Sequence, residues 1–266
     1  MALTTIDEVL QALDAIICRA RLDGSRLGYF AALYRRVTRA VKVGIVNGRF
    51  QNGPRMERLD VVFASRYLDA FAFWQNAQPA SRSWRLAFDA ASERDPLVLQ
   101  HLLAAVNAHI NLDLGIAAAQ TCPGDQLQEL ETDFNQINTV LAEQVGAVER
   151  EMAGISPVVA LLQRIGLITD TRIINFSLET AREVAWSRAQ TLAAGAPGDL
   201  AAAIDQMDRE VALFGNVIVH PLPPLDLQLR PIREVECQDN TEEPGDSGAE
   251  LSPGGILRGE KRMSAC

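Results

Sequence analysis

The residue patterns that announce a reaction are missing from this chain. It has no Walker sequence or other glycine-rich phosphate loop, no G-x-S-x-G elbow and no H-E-x-x-H. Nucleotide, serine-hydrolase and zinc-protease chemistry therefore lack their usual residues. Histidine is scarce, with three in 266 residues, and none lies three places after a glutamate, which removes the paired Glu-x-x-His of di-iron bundles. At most one mononuclear site is within the inventory. The four cysteines, Cys18, Cys122, Cys237 and Cys266, form no C-x-x-C pair and no zinc spacing. Reduced thiols in a cytoplasmic protein are the expectation. No uninterrupted apolar run reaches 18 residues, so no membrane span is expected. Acids stand in the opening MALTTIDEVLQALDAI where a secretory leader needs a basic region, so no leader is expected. A net charge of −9 and a pI near 4.9 argue against nucleic acid or an anionic membrane surface as partner.

What is present is ordinary for a globular protein: 48% hydrophobic and 22% charged residues, enough to bury a sizeable core. Aromatics are only 6% and alanine is abundant, which favours helices packed closely through small side chains. Apolar residues recur at three and four along successive segments. That period predicts helices over Ile6–Leu22, Arg26–Asn47, Arg55–Asn76, Trp84–Ala91, Val98–Gln120, Gln126–Met152, Val158–Ile165, Leu178–Ala193 and Asp199–Phe214. Thr5, Asp95, Ser177 and Asp199 are the expected caps. Val217–Asp226, VIVHPLPPLD, is proline-rich and reads as extended, and the Gly/Pro-rich acidic stretch 230–266 reads as a disordered tail. The prediction is one all-α domain over 1–229, a bundle of about seven or eight helices when the short segments 84–91 and 158–165 are not both counted.

One segment stands out. Val98–Gln120, VLQHLLAAVNAHINLDLGIAAAQ, is apolar on more than one face yet carries His101, Asn107, His109, Asn111 and Asp113. His109 and Asp113 are four apart, roughly 5–6 Å along one face. That spacing suits a carboxylate orienting an imidazole, and it equally suits two ligands to one metal ion. Asn107 and Asn111 repeat the spacing on the opposite face. In the third predicted helix Asp60 falls within the apolar stripe of Met56, Phe63, Tyr67, Phe71 and Trp74, with Glu57 one turn back. A buried carboxylate must be paired, hydrogen-bonded or metal-bound, and Arg58 and Arg66 are the nearest cations in sequence. Further on, Arg182 and Trp186 are four apart, a spacing at which a guanidinium packs on an indole.

The stretches GSRLGYFAALYRRVTRAV, RMERLDVVFASRYLDAF, VLQHLLAAVNAHINLDLGIAAAQ and INFSLETAREVAW, in that order and spacing, resemble the bacterial family catalogued as domain of unknown function 5995. The resemblance runs from Ile6 to Pro221. It implies a helical fold and no particular reaction or cofactor. The family's characteristic positions, carried onto this chain, are Arg55, Glu57, Asp60, Arg66, Tyr67, His101, Asn107, His109, Asn111 and Asp113, with Asn175, Arg182 and Trp186 later.

Three functional readings follow. In the first, a small-molecule enzyme holds its site inside the bundle. His109, Asp113 and Asp60 are then catalytic, Asn107, Asn111, Tyr67, Arg182 and Trp186 bind substrate, and one divalent metal would take His109, Asp113, His101 and Glu57 as ligands. In the second, the protein binds or interacts without catalysis, and the polar residues are a structural network. In the third it is an isoprenoid cyclase or lyase, because Asn175, Glu179 and Glu183 loosely resemble the second magnesium motif of terpene synthases. That family's aspartate-rich partner motif is missing. A concave pocket into which His109, Asp113 and Asp60 converge with free atoms would favour the first reading, and a fully hydrogen-bonded set with no cavity the second.

Overall fold

The computed structural model describes residues 3–93, 95–155 and 171–221, together with Pro223, Leu229 and Arg233. The described residues form eight helices and no strand. They are α1 (Ile6–Leu22), α2 (Gly28–Val46), α3 (Gly53–Gln75), α4 (Arg82–Ser92), α5 (Val98–Thr121), α6 (Leu127–Ile155), α7 (Thr171–Ala194) and α8 (Leu200–Val219).

Local chemistry sets the helix starts. Thr5 and Glu8 close a reciprocal capping box on α1. Asn52 caps α3 by accepting the Arg55 N–H at 3.0 Å, with Pro54 in the first turn. Two buried aspartates fix helix starts from a distance. Asp133 on α6 accepts the backbone N–H groups of Gln51 (2.6 Å) and Asn52 (3.0 Å), pinning the α2–α3 turn. Asp208 on α8 accepts those of Arg82 (2.8 Å) and Ser83 (3.0 Å), supplying negative charge at the N-terminus of α4.

The organising element is α5, which packs against α2, α3, α4, α6, α7 and α8. By length and composition it could cross a bilayer, but 78% of its most apolar stretch is buried inside the fold. Contact with neighbours on every side accounts for its apolar character. Its crossing with α7 is close: a Cβ on Gly115 would lie 2.7 Å from the Ala185 carbonyl oxygen. Gly115→Ala must therefore push two helices apart, and we expect a loss of about 1–3 kcal/mol in chemical denaturation.

Several sequence expectations shift. Helix α7 extends back to Thr171, so Ser177 lies inside it rather than capping it. Val217–Val219 are the last residues of α8, not extended chain, because the helical ladder continues to His220 N–H donating to Asn216 O. Leu97, not Asp95, is the cap residue of α5, and the Gln100 side chain accepts its N–H at 3.0 Å. Cys18 is disulfide-bonded, so the expectation of four reduced thiols fails there, and the cytoplasmic expectation loses that argument. Cys122 is free and buried. The predicted helix 158–165, the tail 230–266 apart from Arg233, and Leu222 and Pro224–Asp226 of the proline-rich segment lie outside the described residues.

Candidate functional site

Helix α5 is not α-helical throughout. Between α-helical Val98–Asn107 and Gly115–Thr121, residues Ala108–Leu114 follow the wider i→i+5 pattern of a π-helix. Such segments are rare and concentrate at functional sites, because they re-aim side chains at a cost in backbone regularity. This one carries both His109 and Asp113.

Around it, regular spacing on three helices delivers a ring of aromatic and polar groups. Helix α2 contributes Phe30, Tyr34 and Thr38, each four residues after the last. Helix α3 contributes Asp60, Phe63, Arg66 and Tyr67, and α4 contributes Trp84. The imidazole of His109 stacks on Phe63 (centroids 3.6 Å apart, 11° between planes) and meets Tyr34 edge-on at 4.3 Å. Phe30 lies at 5.5 Å, Trp84 at 6.0 Å and Tyr67 at 6.5 Å. Phe63 and Arg66 are the partly exposed members, so they form the solvent edge of the cluster.

Asp113 is held at both oxygens. Arg66 Nε donates to Oδ1 and Trp84 Nε1 donates to Oδ2, each at 2.7 Å, and the residue is 1% exposed. Charge-assisted bonds of this length fix the carboxylate firmly. His109 Nδ1 is 3.8 Å from Oδ2, within ion-pair distance but beyond hydrogen-bond reach. The expected direct orientation of the imidazole by Asp113 is thus replaced by an Arg–Asp–Trp clamp beside it. Both ring nitrogens of His109 are buried without a hydrogen-bond partner, as are Tyr34 Oη, Thr38 Oγ1 and Asp60 Oδ2.

Electrostatics make these groups neutral. Burial pushes the His109 pKa down, Asp113 opposes this and Arg66 reinforces it. Burial, with the charge of Glu57, raises Asp60 to about 8, so its carboxyl keeps its proton at neutral pH. Burial likewise raises Tyr34, whose ring meets His109; the charges of Asp60 and Asp113 add to this, and the Thr38 hydroxyl beside it opposes it. Asp60 meets neither Arg58, which bonds Thr121 O at 2.8 Å, nor Arg66, whose Nε is taken by Asp113.

The remaining candidates lie elsewhere. Asn107 donates to Val211 O (2.9 Å) and accepts from Asn111 (2.9 Å), while Arg188 donates to Asn111 O; this pair ties α5 to α8 and α7. Arg182 stacks 4.4 Å over Phe134, not over Trp186, and bonds Asn138 and Phe134 O; Trp186 packs on the other partner of that contact, Phe134, at 4.8 Å. Burial lowers the Arg182 pKa to about 9. His101, buried against Tyr29 and lowered to about 3 by burial and then by Arg26, belongs to another neighbourhood. Glu57 accepts the Ile6 N–H at 3.2 Å, at the start of α1. The four residues expected to bind a divalent ion therefore do not assemble, and among the described residues no three His, Cys, Asp or Glu gather as a metal site. Glu179 and Glu183 are exposed on α7.

The family model described as "Family of unknown function (DUF5995)" matches residues 6–221. The chain belongs to that family. No curated protein and no solved structure matches it. The match covers every helix of this DUF5995 chain, α5 with its π segment included. Sequence reasoning missed Tyr34, Thr38, Trp84 and the clamp role of Arg66. Thr38, four after Tyr34 on an apolar stripe, was one available signal. Trp84 was another, since a buried indole N–H seeks an acceptor.

Proposed function

We propose that this protein is a small-molecule enzyme working by acid–base chemistry, with His109 as the base and the Arg66–Asp113–Trp84 clamp as its electrostatic support. One observation carries the reading: both imidazole nitrogens are buried and unpartnered in the π segment of the central helix. Leaving a buried polar group unsatisfied costs about 1–3 kcal/mol, so five such atoms around one cluster favour a polar guest over a finished network. The neutral imidazole has a lone pair free to take a proton; burial weakens it as a base, and Asp113, 3.8 Å away, would offset this by stabilising the imidazolium that forms. Asp60, protonated at neutral pH, is the candidate proton donor, and the Tyr34 hydroxyl, held neutral, a candidate hydrogen-bond donor.

The alternative of a purely structural network fits the Asn107–Asn111 pair, whose bonds are made, and fits His109 poorly. The unpartnered atoms support substrate contacts at His109, Tyr34 and Asp60 rather than at the asparagines or Arg182, whose bonds are made. A thermal-shift screen of a general metabolite library separates the readings. Compounds that raise the melting temperature of wild type and leave His109→Leu unmoved support the enzyme site. Equal shifts in both proteins, or none in either, contradict it.

A further inference from the structure

The cluster around His109 carries a consistent charge balance. Its buried anion, Asp113, is matched by Arg66 and has both oxygens occupied, and the partly exposed Glu57 acts on Asp60. The groups with unoccupied polar atoms are Tyr34, Thr38, Asp60 and His109, and all four are buried. The rings of Phe30, Phe63 and Tyr67 meet both His109 and Tyr34, and that of Trp84 lies beside His109. A net charge brought into such a site would be stripped of water with no free counter-charge to meet it, which costs several kcal/mol per ion. A flat apolar body would gain stacking area, and a single oxygen would find both donors and an acceptor.

We infer that the ligand of this site is an uncharged, largely apolar small molecule bearing one hydroxyl or carbonyl oxygen, with Tyr34, Thr38 and Asp60 joining His109 in holding that oxygen. This rests on the proposed function above and narrows it to a substrate class. It assigns Tyr34 and Thr38 a binding role, and it gives Asp60 the role of a neutral hydrogen-bond donor. Charge recognition has no part in it.

Three probes of one shape test the class: benzyl alcohol, benzoate and benzylammonium, titrated into the full-length protein at pH 7 and followed by ligand-observed NMR. Benzyl alcohol should bind at least about tenfold more tightly than either ion. His109→Leu should abolish its binding. Tyr34→Phe, which keeps the ring and removes only the hydroxyl, should weaken it by about tenfold. Asp60→Asn, an uncharged group of the same shape, should stay within about threefold of wild type. Tighter or equal binding of an ion that is still lost in His109→Leu overturns the uncharged class and leaves the acid–base site standing. Binding of no probe, or of benzyl alcohol equally to wild type, His109→Leu and Tyr34→Phe, overturns both.

Discussion

Arg66→Leu is expected to destabilise the protein by about 3–5 kcal/mol, the cost of leaving one member of a buried ion pair without its partner. Asp113 is 1% exposed, and after the change it would keep only the Trp84 N–H at 2.7 Å. For a chain of this size, each kcal/mol moves the melting temperature by roughly 2–4 °C, so the drop is large enough to read directly. The double variant Arg66→Leu/Asp113→Leu should recover more than half of the loss, because it removes the stranded charge rather than adding another defect. The single variant has a second consequence. Arg66 helps hold the His109 pKa down, so its removal should let the imidazole titrate at higher pH, visible in its ring proton shifts. A loss below about 1 kcal/mol would mean that the clamp does not hold the carboxylate.

Asp60→Asn should produce the other large effect, and it should depend on pH. The Asp60 carboxyl has a pKa of about 8 in the fold against an ordinary value of 3.8. Between those values the folded protein keeps a proton that the unfolded chain has released, so stability falls as pH rises through the window. At about 1.4 kcal/mol per unit, the accumulated cost is on the order of 4 kcal/mol by pH 7 and levels off above pH 8. Asn cannot ionise. Wild type and variant should agree near pH 4 to within about 1 kcal/mol, and the variant should then become progressively the more stable. Parallel stability curves from pH 4 to pH 8 would show that Asp60 is charged and paired in the fold.

Much of the architecture was legible because helix period and caps are local properties. Thr5 with Glu8, and Asn52 with Pro54, mark their helix starts from neighbouring residues alone. Where partners come from distant chain, the sequence was mute. Asp208 caps α4 from more than a hundred residues away, and Asp133 holds the α2–α3 turn in the same manner. The candidate site shows both sides. His109, Asp113 and Asp60 announced themselves as polar groups on apolar stripes, and the fold puts His109 beside Asp113 and against Tyr34, on whose hydroxyl Asp60 acts. Their pairing was not readable, because the four-residue spacing argument assumes an α-helix and α5 is a π-helix at those residues. The metal expectation for His101 and Glu57 failed for a related reason: sequence proximity says little about which face of a neighbouring helix a side chain meets.

The central question is whether His109 is kept for a guest or for the fold. The most direct measurement is the unfolding free energy of His109→Leu against wild type at pH 7 with no ligand present. An imidazole buried with two unpartnered nitrogens is a liability in the empty protein, so the account predicts that the leucine variant is as stable as wild type or more so, by up to about 3 kcal/mol. A loss of about 2 kcal/mol or more would identify His109 as a satisfied member of a structural network and contradict the account.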